Sequence, residues 1–555
     1  MHAHSRRASA RDAARCARRR RITSAVRAHV EAFEDRTLPA VTGALVGGTL
    51  DVDLTAAGDH ARIQVTGSDT EVVDVNTSTT VFSTPTAGVT AFDVDGTNAG
   101  SQQVTIQNGH TLSGGVDVAA VATIQVNGSL TLSGSLALSA QTVNIAAAVS
   151  TATNNQPITI TTNAIAISSG VSVSSGSGTI TLQPDNDGDV IGLENTTTVG
   201  GVNCNANFNM TATEIQALSS SGTVIIGRST GTGPICVARR DPGGDVINLG
   251  SEQFNLTLRG GATTFHNKLT LASNKTLTLL TGAISDNSNP AAQEDINGTV
   301  SATLHITSSG SVSVDTSLGR YGTIATSGSI DLSNTSAAGI SPTLTLTGPI
   351  NSSNNAITLA NNATFTITQN AGATVNAGTS TVTITADSLA LADTITADGG
   401  ITLQPTTSGR PIKLNSSAGS SDLELSAAEL SQLSSTGTVT VGRSGGTGAI
   451  TVGSSSAIDL SGESFGLALR GGAVTFTNGV TLADDKTFTF NTGAITSGSG
   501  VDVVIGGAGS VSATASGAIG ASGNPFATAV ATLSATTSAN NNMFLSERRC
   551  GRWRG

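Results

Sequence analysis

The chain has 555 residues and a mean hydropathy of +0.09, and charged side chains make up only 12% of it. Because globular proteins usually carry about 25% charged residues, this composition argues against ordinary globular domains. With 3% aromatic residues and 65 glycines, the core must come from small aliphatic side chains, and the hydropathy is too high for a disordered chain.

Charge is unevenly distributed along the chain. Ten arginines lie within the first 36 residues and four within the last eight, whereas residues 37–546 hold 13 basic and 33 acidic side chains, a net charge of −20. Proteins that bind nucleic acid present basic patches to the phosphates, so we expect no nucleic-acid partner. No stretch approaches the roughly 18 apolar residues of a membrane-spanning helix, so we also expect no transmembrane segment.

Residues 1–40 differ from everything that follows and predict a basic, helical or disordered N-terminal segment. Apolar side chains recur at helical spacing within Ser24–Arg36, and Pro39 ends the pattern. The sequence VEAFEDRTLPA at Val30–Ala40 resembles the N-terminal motif V-E-x-L-E-D-R-x-x-P-A of planctomycete-type surface proteins, with Phe33 in place of leucine. The resemblance implies a cell-envelope or extracellular destination. A basic helix without a sorting role is the alternative, and no apolar core of a secretory signal is visible.

Beyond Ala40 the sequence alternates with period two. ITIT at Ile158–Thr161, TLTLTG at Thr343–Gly348 and VTIT at Val382–Thr385 are typical of short strands with one buried face. We predict β-rich N-terminal coils or a cap over residues 41–110, and a long β-domain over residues 111–545.

The β-domain contains an internal duplication, copy 1 at about 150–290 and copy 2 at about 375–500. The matching segments are ITLQP at Ile180–Pro184 and Ile401–Pro405, TVIIGRS at Thr223–Ser229 and TVTVGRS at Thr438–Ser444, and LRGGA at Leu258–Ala262 and Leu469–Ala473. Each copy also contains a short Ala/Glu/Leu segment, ATEIQALSS or SAAELSQLSS, which predicts a single helical turn.

These patterns predict an all-β fold, a parallel β-helix or solenoid. No segment is long enough for the helical crossovers of an ordinary parallel sheet, whereas coils of roughly 20–25 residues stacked at about 4.8 Å place aliphatic side chains inside and Thr, Ser and Asn outside. Stacking also explains the scarcity of charge, since like charges about 5 Å apart repel by roughly 0.9 kcal/mol in water. A string of β-sandwiches is the alternative, but it generally needs a larger aromatic core than one Trp and one Tyr provide.

The order of a Glu/Leu helical turn, S-x-G-T-V-x-x-G-R-S and short aliphatic strands resembles the repeats of filamentous haemagglutinin-type adhesins over residues 110–545. The resemblance implies a secreted or cell-surface, adhesin-like or structural rod, with cell-surface or extracellular-matrix components, glycans included, as partners. It brings no catalytic residues, and we predict no enzyme. A stalk or passenger region of a larger exported protein is one alternative. A carbohydrate-active β-helix enzyme is another, which would need charged side chains converging from adjacent coils.

The one metal candidate is the loop DNDGD, in which Asp185, Asp187 and Asp189 offer the hard oxygen ligands that Ca²⁺ takes. The equivalent turn of copy 2, Thr406–Arg410, has no acid, so a solvated turn is the alternative and no other cofactor is expected. Charged residues that recur in both copies are predicted to be structural. They are Glu214 and Glu429, Arg228 and Arg443, Glu252 and Glu463, Arg259 and Arg470, and Lys275 and Lys486.

The last ten residues, 546–555, break from the repeat pattern. They contain RRCGRWRG directly after a segment that reads like the opening of another coil. We hypothesise that the chain is a truncated or frame-shifted piece of a longer protein. The four cysteines are too scattered along the chain to predict a disulfide framework.

Overall fold

The computed structural model describes residues 41–97, 100–194, 206–238, 246–286, 296–298, 301–334, 343–361, 366–416, 422–498, 500–538 and 541–548. The predicted N-terminal segment 1–40 and most of the anomalous tail lie outside these residues. Within them the regular secondary structure is almost entirely β-strand, with two short α-helices and one 3₁₀ turn at Thr86–Gly88.

The first five strands are antiparallel. They are Val41–Val46, Thr49–Leu54, His60–Thr66, Asp69–Asp74 and Thr79–Pro85. Two of them also pair in parallel with the strands that follow, Thr49–Leu54 with Ala91–Asp95 and His60–Thr66 with Gln103–Ile106. The hairpins therefore lie against the first parallel coils, where they cover an end that would otherwise expose an apolar layer and an open sheet edge.

The parallel strands begin after the hairpins. Through copy 1 they are Ala91–Asp95, Gln103–Ile106, His110–Leu112, Val116–Val126, Leu130–Leu132, Leu136–Ile145, Val149–Ser150, Ile158–Thr161, Ala164–Ile167, Val173–Gly176, Ile180–Gln183, Ile191–Leu193, Phe208–Met210, Leu218–Ser220, Thr223–Ile226, Ile235–Val237, Ile247–Leu249, Asn255–Arg259, Thr263–Phe265, Leu269–Leu271, Thr276–Thr281 and Ile284–Asp286.

The strands continue through the linking region and copy 2. They are Ile296–Gly298, Thr303–Ser308, Val312–Thr316, Arg320–Thr326, Ile330–Asn334, Thr343–Leu346, Ile350–Asn351, Ile357–Asn361, Thr366–Gln369, Val375–Asn376, Thr381–Thr385, Ser388–Ala390, Ile395–Thr396, Gly400–Gln404, Ile412–Leu414, Leu423–Leu425, Leu433–Ser434, Thr438–Gly442, Ile450–Val452, Ile458–Leu460, Gly466–Arg470, Val474–Phe476, Val480–Leu482, Thr487–Thr492, Ile495–Thr496, Val503–Ile505, Ser510–Ala515, Phe526–Ala529, Thr532–Thr537 and Leu545–Glu547.

Two long ladders of parallel strands run along the molecule. The first ladder runs from Ala91–Asp95 to Ser388–Ala390 and contains the copy 1 strands Thr223–Ile226 and Asn255–Arg259. The second ladder runs from Ile191–Leu193 of copy 1 to Thr532–Thr537 and contains the copy 2 strands Thr438–Gly442 and Gly466–Arg470. The all-β parallel solenoid predicted from the sequence is confirmed.

The register gives the length of each coil. Leu136 pairs with Ile158 and Ile158 with Ile180, steps of 22 residues, which agrees with the predicted 20–25. The step from Ile180 to Val224 takes 44 residues, because the chain makes an excursion that includes a helix before it returns to the ladder. Insertions therefore lie between strands, where they do not interrupt the hydrogen-bonded ladder.

Both helical turns occur where the sequence predicts them. Helix α1 is Ala212–Gln216 and helix α2 is Ala427–Leu430. Each begins with a capping box, in which a Thr or Ser side chain accepts from the backbone N–H of a glutamate that in turn accepts from the cap backbone. Each also buries one apolar residue, Ile215 or Leu430.

A single continuous core fills the solenoid. Inward residues such as Leu136, Ile158 and Val224 are almost fully buried in columns, and each such side chain contributes roughly 1.5–3 kcal/mol on burial. Copy 2 adds an aromatic cluster, in which the ring centroids of Phe488 and Phe490 lie 4.3 Å apart and the ring of Phe526 lies 5.8 Å from Phe490. The core is thin everywhere, so its continuity depends on close stacking of the coils.

Candidate functional site: the duplicated arginine turns

The turn after ITLQP carries the predicted calcium ligands, and the structure places two of the three carboxylates in contact with protein groups. Asp187 Oδ1 lies 2.5 Å from Arg228 Nε and accepts from the Thr230 hydroxyl at 2.9 Å. Asp189 Oδ2 accepts from the backbone and side-chain nitrogens of Asn186, both at 3.1 Å. Among the described residues no group of three His, Cys, Asp or Glu side chains is arranged to hold a metal. The calcium site at Asp185, Asp187 and Asp189 stays a prediction.

The recurring G-R-S turn joins two neighbouring coils. Arg228 Nη1 donates to the backbone oxygens of Pro184 at 3.1 Å and Asp185 at 3.0 Å. In copy 2, Arg443 Nη1 donates to the equivalent oxygens of Pro405, at 3.5 Å, and Thr406. These bonds explain why Gln-Pro and Gly-Arg-Ser recur together, since the arginine satisfies carbonyls of the turn below.

The glycine before each arginine is required by backbone packing. Gly227 and Gly442 have φ of +104° and +97°, and a Cβ there would lie 1.8 Å and 1.9 Å from the carbonyl oxygens of Arg259 and Arg470. Only glycine fits this approach. The close approach brings a second arginine, on the next coil, beside the first.

The second arginine has different neighbours in the two copies. Arg259 pairs in the ladder with Leu280, and its Nε is buried without a hydrogen-bond partner. Arg470 pairs with Asn491 and is exposed. The substitution of Asn491 for Leu280 makes this corner polar in copy 2.

In copy 2 the two arginines line a pocket of about 320 Å³, which we call the arginine pocket. It lies across the corner where successive coils turn. It is lined by Arg443, Ser444, Gly445, Gly446, Thr447, Arg470, Gly471, Gly472, Asn491, Thr492, Gly493 and Ser516. These residues include two cations and no carboxylate, so the pocket attracts anions and offers no acid–base pair for hydrolysis.

The second ladder also presents a side rich in hydroxyl groups, which we call the hydroxyl face. One of its columns pairs in register over eight coils through Thr358, Thr383, Thr402, Thr440, Ala468, Thr489, Ser512 and Ser534. Thr440 and Ala468 are buried, and the other six are partly or fully exposed. A neighbouring column contains Thr381, Gly400, Thr438, Gly466, Thr487, Ser510 and Thr532. At about 4.8 Å per coil, the first column extends roughly 34 Å without a charged residue.

A shallow groove of about 380 Å³, also rich in hydroxyl groups, lies on the first ladder. It is lined by Thr223, Asn255, Thr257, Thr276, Thr278, His305, Thr307 and Thr323. His305 Nδ1 accepts from the backbone N–H of Thr323 at 3.0 Å, and burial lowers the pKa of His305. A neutral imidazole extends the uncharged surface on this side.

Three of the remaining repeated charges make hydrogen bonds to the backbone of another coil. Glu214 accepts from the backbone N–H of Ile167, and Glu429 from that of Leu391, so each capping glutamate also satisfies a strand of another coil. Lys275 donates to the carbonyl of Gln253. Sequence reasoning missed the state of Cys236, which is buried and disulfide-bonded.

Comparisons with known proteins do not assign the chain to a family. No family model matches the chain, and neither a curated protein nor a solved structure matches it. The resemblances to haemagglutinin-type repeats and to the surface-protein motif therefore stay predictions. Within the described residues, no helix is long and apolar enough to span a membrane.

Proposed function

We propose that the chain is a non-catalytic, secreted or cell-surface rod that contacts surface or matrix polymers through the outward sides of its solenoid. The observation that carries the proposal is the hydroxyl face. Its small hydroxyl side chains repeat at the coil spacing over roughly 34 Å, so they can donate and accept hydrogen bonds along an extended polar chain. A polymer with many hydroxyl groups is the partner that this chemistry suits.

Two further observations support an exported location, and a third supports a non-catalytic role. Cys236 is disulfide-bonded, and disulfides form and persist mainly in oxidising compartments outside the cytosol. The sequence at Val30–Ala40 resembles a surface-protein motif. The few charged side chains and the stacked polar faces suit a passive rod better than an enzyme, whose site needs convergent charged groups.

The location is tested by protease shaving of intact cells that express the chain naturally. We expect the chain to disappear from the cells while a cytosolic marker survives. A chain that resists protease in intact cells and fractionates with the cytosol would contradict the proposal.

Contact through the hydroxyl face is tested by measuring the binding of the purified chain to immobilised matrix polysaccharide with biolayer interferometry. The double variant Thr402→Asp and Thr489→Asp places carboxylates in the face, and we expect at least a tenfold loss of binding because polar partners lose their hydrogen bonds to the hydroxyl groups at these two positions. The matched control is Thr131→Asp, an exposed outward position on strand Leu130–Leu132. Equal binding by the wild type and both variants would show that the face makes no contact.

A further inference from the structure

We propose that the arginine pocket of copy 2 binds the oxoanion of an anionic sugar, a sulfate or carboxylate group carried on a polysaccharide. The proposal rests on the contact function above and deepens it by naming a ligand class and a site. It depends on four features of the pocket: its charge, an unsatisfied hydroxyl, its floor and its difference from copy 1.

The charge of the turn is reversed between the copies. Asp185, Asp187 and Asp189 of copy 1 are replaced by Thr406, Ser408 and Arg410. At this corner the three aspartates, with Arg228 and Arg259, give copy 1 a formal charge of −1, whereas Arg443 and Arg470 give the arginine pocket of copy 2 a formal charge of +2. In a body of net charge −20, copy 2 therefore creates a local positive site, which concentrates anions.

Copy 1 supplies its own anion and copy 2 does not. In copy 1 the Asp187 carboxylate lies 2.5 Å from Arg228 Nε and also receives the Thr230 hydroxyl. Copy 2 has Ser408 and Gly445 at the positions of that aspartate and threonine. Among the described residues, no carboxylate pairs with Arg443 or Arg470. An external oxoanion would restore the kind of interaction that Asp187 makes in copy 1.

A hydroxyl that lines the pocket is unsatisfied. Thr492 is 6% exposed, and its Oγ1 is buried without a hydrogen-bond partner. Its equivalent in copy 1, Thr281, donates to the carbonyl of Gly282 at 3.4 Å. A buried hydroxyl without a partner costs about 1–3 kcal/mol, so copy 2 carries at this position an unsatisfied hydroxyl that copy 1 does not.

The floor of the pocket is bare backbone. A Cβ on Gly472 would lie 2.3 Å from the carbonyl oxygen of Thr447, and one on Gly493 would lie 2.8 Å from the backbone nitrogen of Ala473. The glycines are therefore fixed by coil stacking, and the absence of side chains leaves room beside the arginines. Their N–H groups are used by the ladder, as in the 2.8 Å bond from Gly472 to Gly448, so arginine and hydroxyl side chains must hold the anion.

The size and lining of the pocket favour a sugar over a peptide. A volume of about 320 Å³ lies at the lower end of ligand pockets, which suits a single ring. Ser444, Thr447 and Asn491 offer hydroxyl and amide groups for sugar hydroxyls, and none of the lining residues is an aromatic or large aliphatic side chain that would hold a peptide. Arginine binds planar carboxylate or sulfate oxygens through two donors at once.

The test measures binding of the purified full chain to dextran sulfate at physiological ionic strength, with neutral dextran as the uncharged probe and polyglutamate as the peptide probe. We expect dextran sulfate to bind, inorganic sulfate to compete with it, and neutral dextran and polyglutamate to bind at least tenfold more weakly. Arg470→Gln should weaken dextran sulfate binding at least tenfold, because one of the two cations is lost.

Two variants make the result specific to this pocket. Ser408→Asp places a carboxylate where copy 1 has Asp187, and it should weaken binding about as strongly as Arg470→Gln by pairing with Arg443. Arg259→Gln removes the equivalent arginine of copy 1 and should leave binding within twofold of the wild type. Equal loss in Arg259→Gln, no loss in Arg470→Gln or Ser408→Asp, or tighter binding of polyglutamate would each overturn the proposal.

The pocket and the contact function can fail separately. Competition by inorganic sulfate is measured on purified protein without cells or matrix, so it tests the pocket alone. If sulfate competes and Arg470→Gln removes binding while protease shaving finds the chain in the cytosol, the pocket proposal is supported and the surface function is contradicted.

Discussion

The two copies of the duplication show which parts of the solenoid are fixed by packing and which are free to change. Glycines at the coil corners recur in both copies, because a Cβ at Gly261 or Gly472 would lie 2.1 Å or 2.3 Å from a carbonyl oxygen of the coil below. The residues that project from the same corners differ, Asp187 against Ser408 and Leu280 against Asn491. Stacking therefore conserves backbone geometry and leaves the surface chemistry open.

Equivalent strands of the two copies also lie in different ladders. Strand Thr223–Ile226 of copy 1 stacks in the first ladder, whereas its equivalent Thr438–Gly442 stacks in the second. One coil contributes Thr303–Ser308 to the first ladder and Val312–Thr316 to the second, so the two ladders are different sides of the solenoid. Duplication thus presents related corners on different sides of one rod, and each can take a separate role.

The largest expected difference between the copies lies in the core. Phe488 and Phe490 of copy 2 stand where copy 1 has Leu277 and Leu279. Phe490→Ala should lower the free energy of unfolding by about 3–5 kcal/mol, and aromatic contacts should make the loss roughly 1 kcal/mol greater than that of Leu279→Ala. Urea unfolding followed by circular dichroism measures both, and hydrogen exchange locates the loss. Equal losses would mean that the aromatic cluster adds nothing beyond volume.

The corner glycines should behave alike in both copies. Gly261→Ala and Gly472→Ala should each destabilise the chain by about 1–3 kcal/mol, because the added methyl meets backbone rather than a movable side chain. The matched control is Gly462→Ala, where a Cβ would have nothing within 4 Å. Thermal unfolding of the three variants checks this, and a tolerated Gly472→Ala would show that the coils can separate at this corner.

Period-two alternation predicts the solenoid but not how its first strands pair. Period-two alternation and the scarcity of charge indicate thin stacked coils, and the Ala/Glu/Leu segments indicate α1 and α2 because a capping box needs only local residues. Alternation alone does not predict the antiparallel pairing of Val41–Val46 with Thr49–Leu54, since parallel and antiparallel strands share the same period. The local signal for this pairing is the two-residue turn at Gly47 and Gly48, which is typical of a β-hairpin.

The arginine pocket was also beyond sequence reasoning, although one signal was present. Aligned copies show that Asp187 is replaced by Ser408 while both arginines remain, and an arginine that loses its carboxylate suggests an external anion. Spacing alone predicts structural arginines, because it does not show which coil lies beside which. Spacing also did not predict the disulfide of Cys236.

A smaller effect on stability is expected from removing the Asp187 carboxylate, which pairs with Arg228 in the copy 1 turn. Asp187→Ser should lower the free energy of unfolding by up to about 1 kcal/mol, because the Arg228 pair is partly exposed. The loss should shrink at 1 M salt, which screens the pair. Asp185→Ser is the matched control, since Asp185 joins the turn through its backbone oxygen. A loss that is the same at both salt concentrations would mean that the ion pair does not hold the turn closed.

The smallest expected effect depends on pH and again separates the copies. Burial raises the pKa of Glu463, whereas its equivalent Glu252 accepts a hydrogen bond from Ser251 at 3.1 Å. A raised pKa means that the folded chain binds this proton more tightly than the unfolded chain. Once the pH exceeds the folded pKa, the carboxyl is charged in both states and its burial lowers the free energy of unfolding. Glu463→Gln should therefore raise the unfolding temperature slightly at pH 7. The gain in the free energy of unfolding should be well under about 1 kcal/mol, because the side chain is partly exposed. The gain should vanish below pH 4, where the wild-type carboxyl is protonated in both states.

The control for this pH effect is Glu252→Gln, which removes an acceptor for the Ser251 hydroxyl instead of a desolvated charge. We expect it to leave the unfolding temperature unchanged or slightly lower at pH 7, with no gain that appears as the pH rises. Thermal unfolding of both variants from pH 3 to pH 8 distinguishes the two positions. If Glu252→Gln gained stability with pH as Glu463→Gln does, the difference would belong to the loss of one negative charge from an acidic chain and not to burial in copy 2.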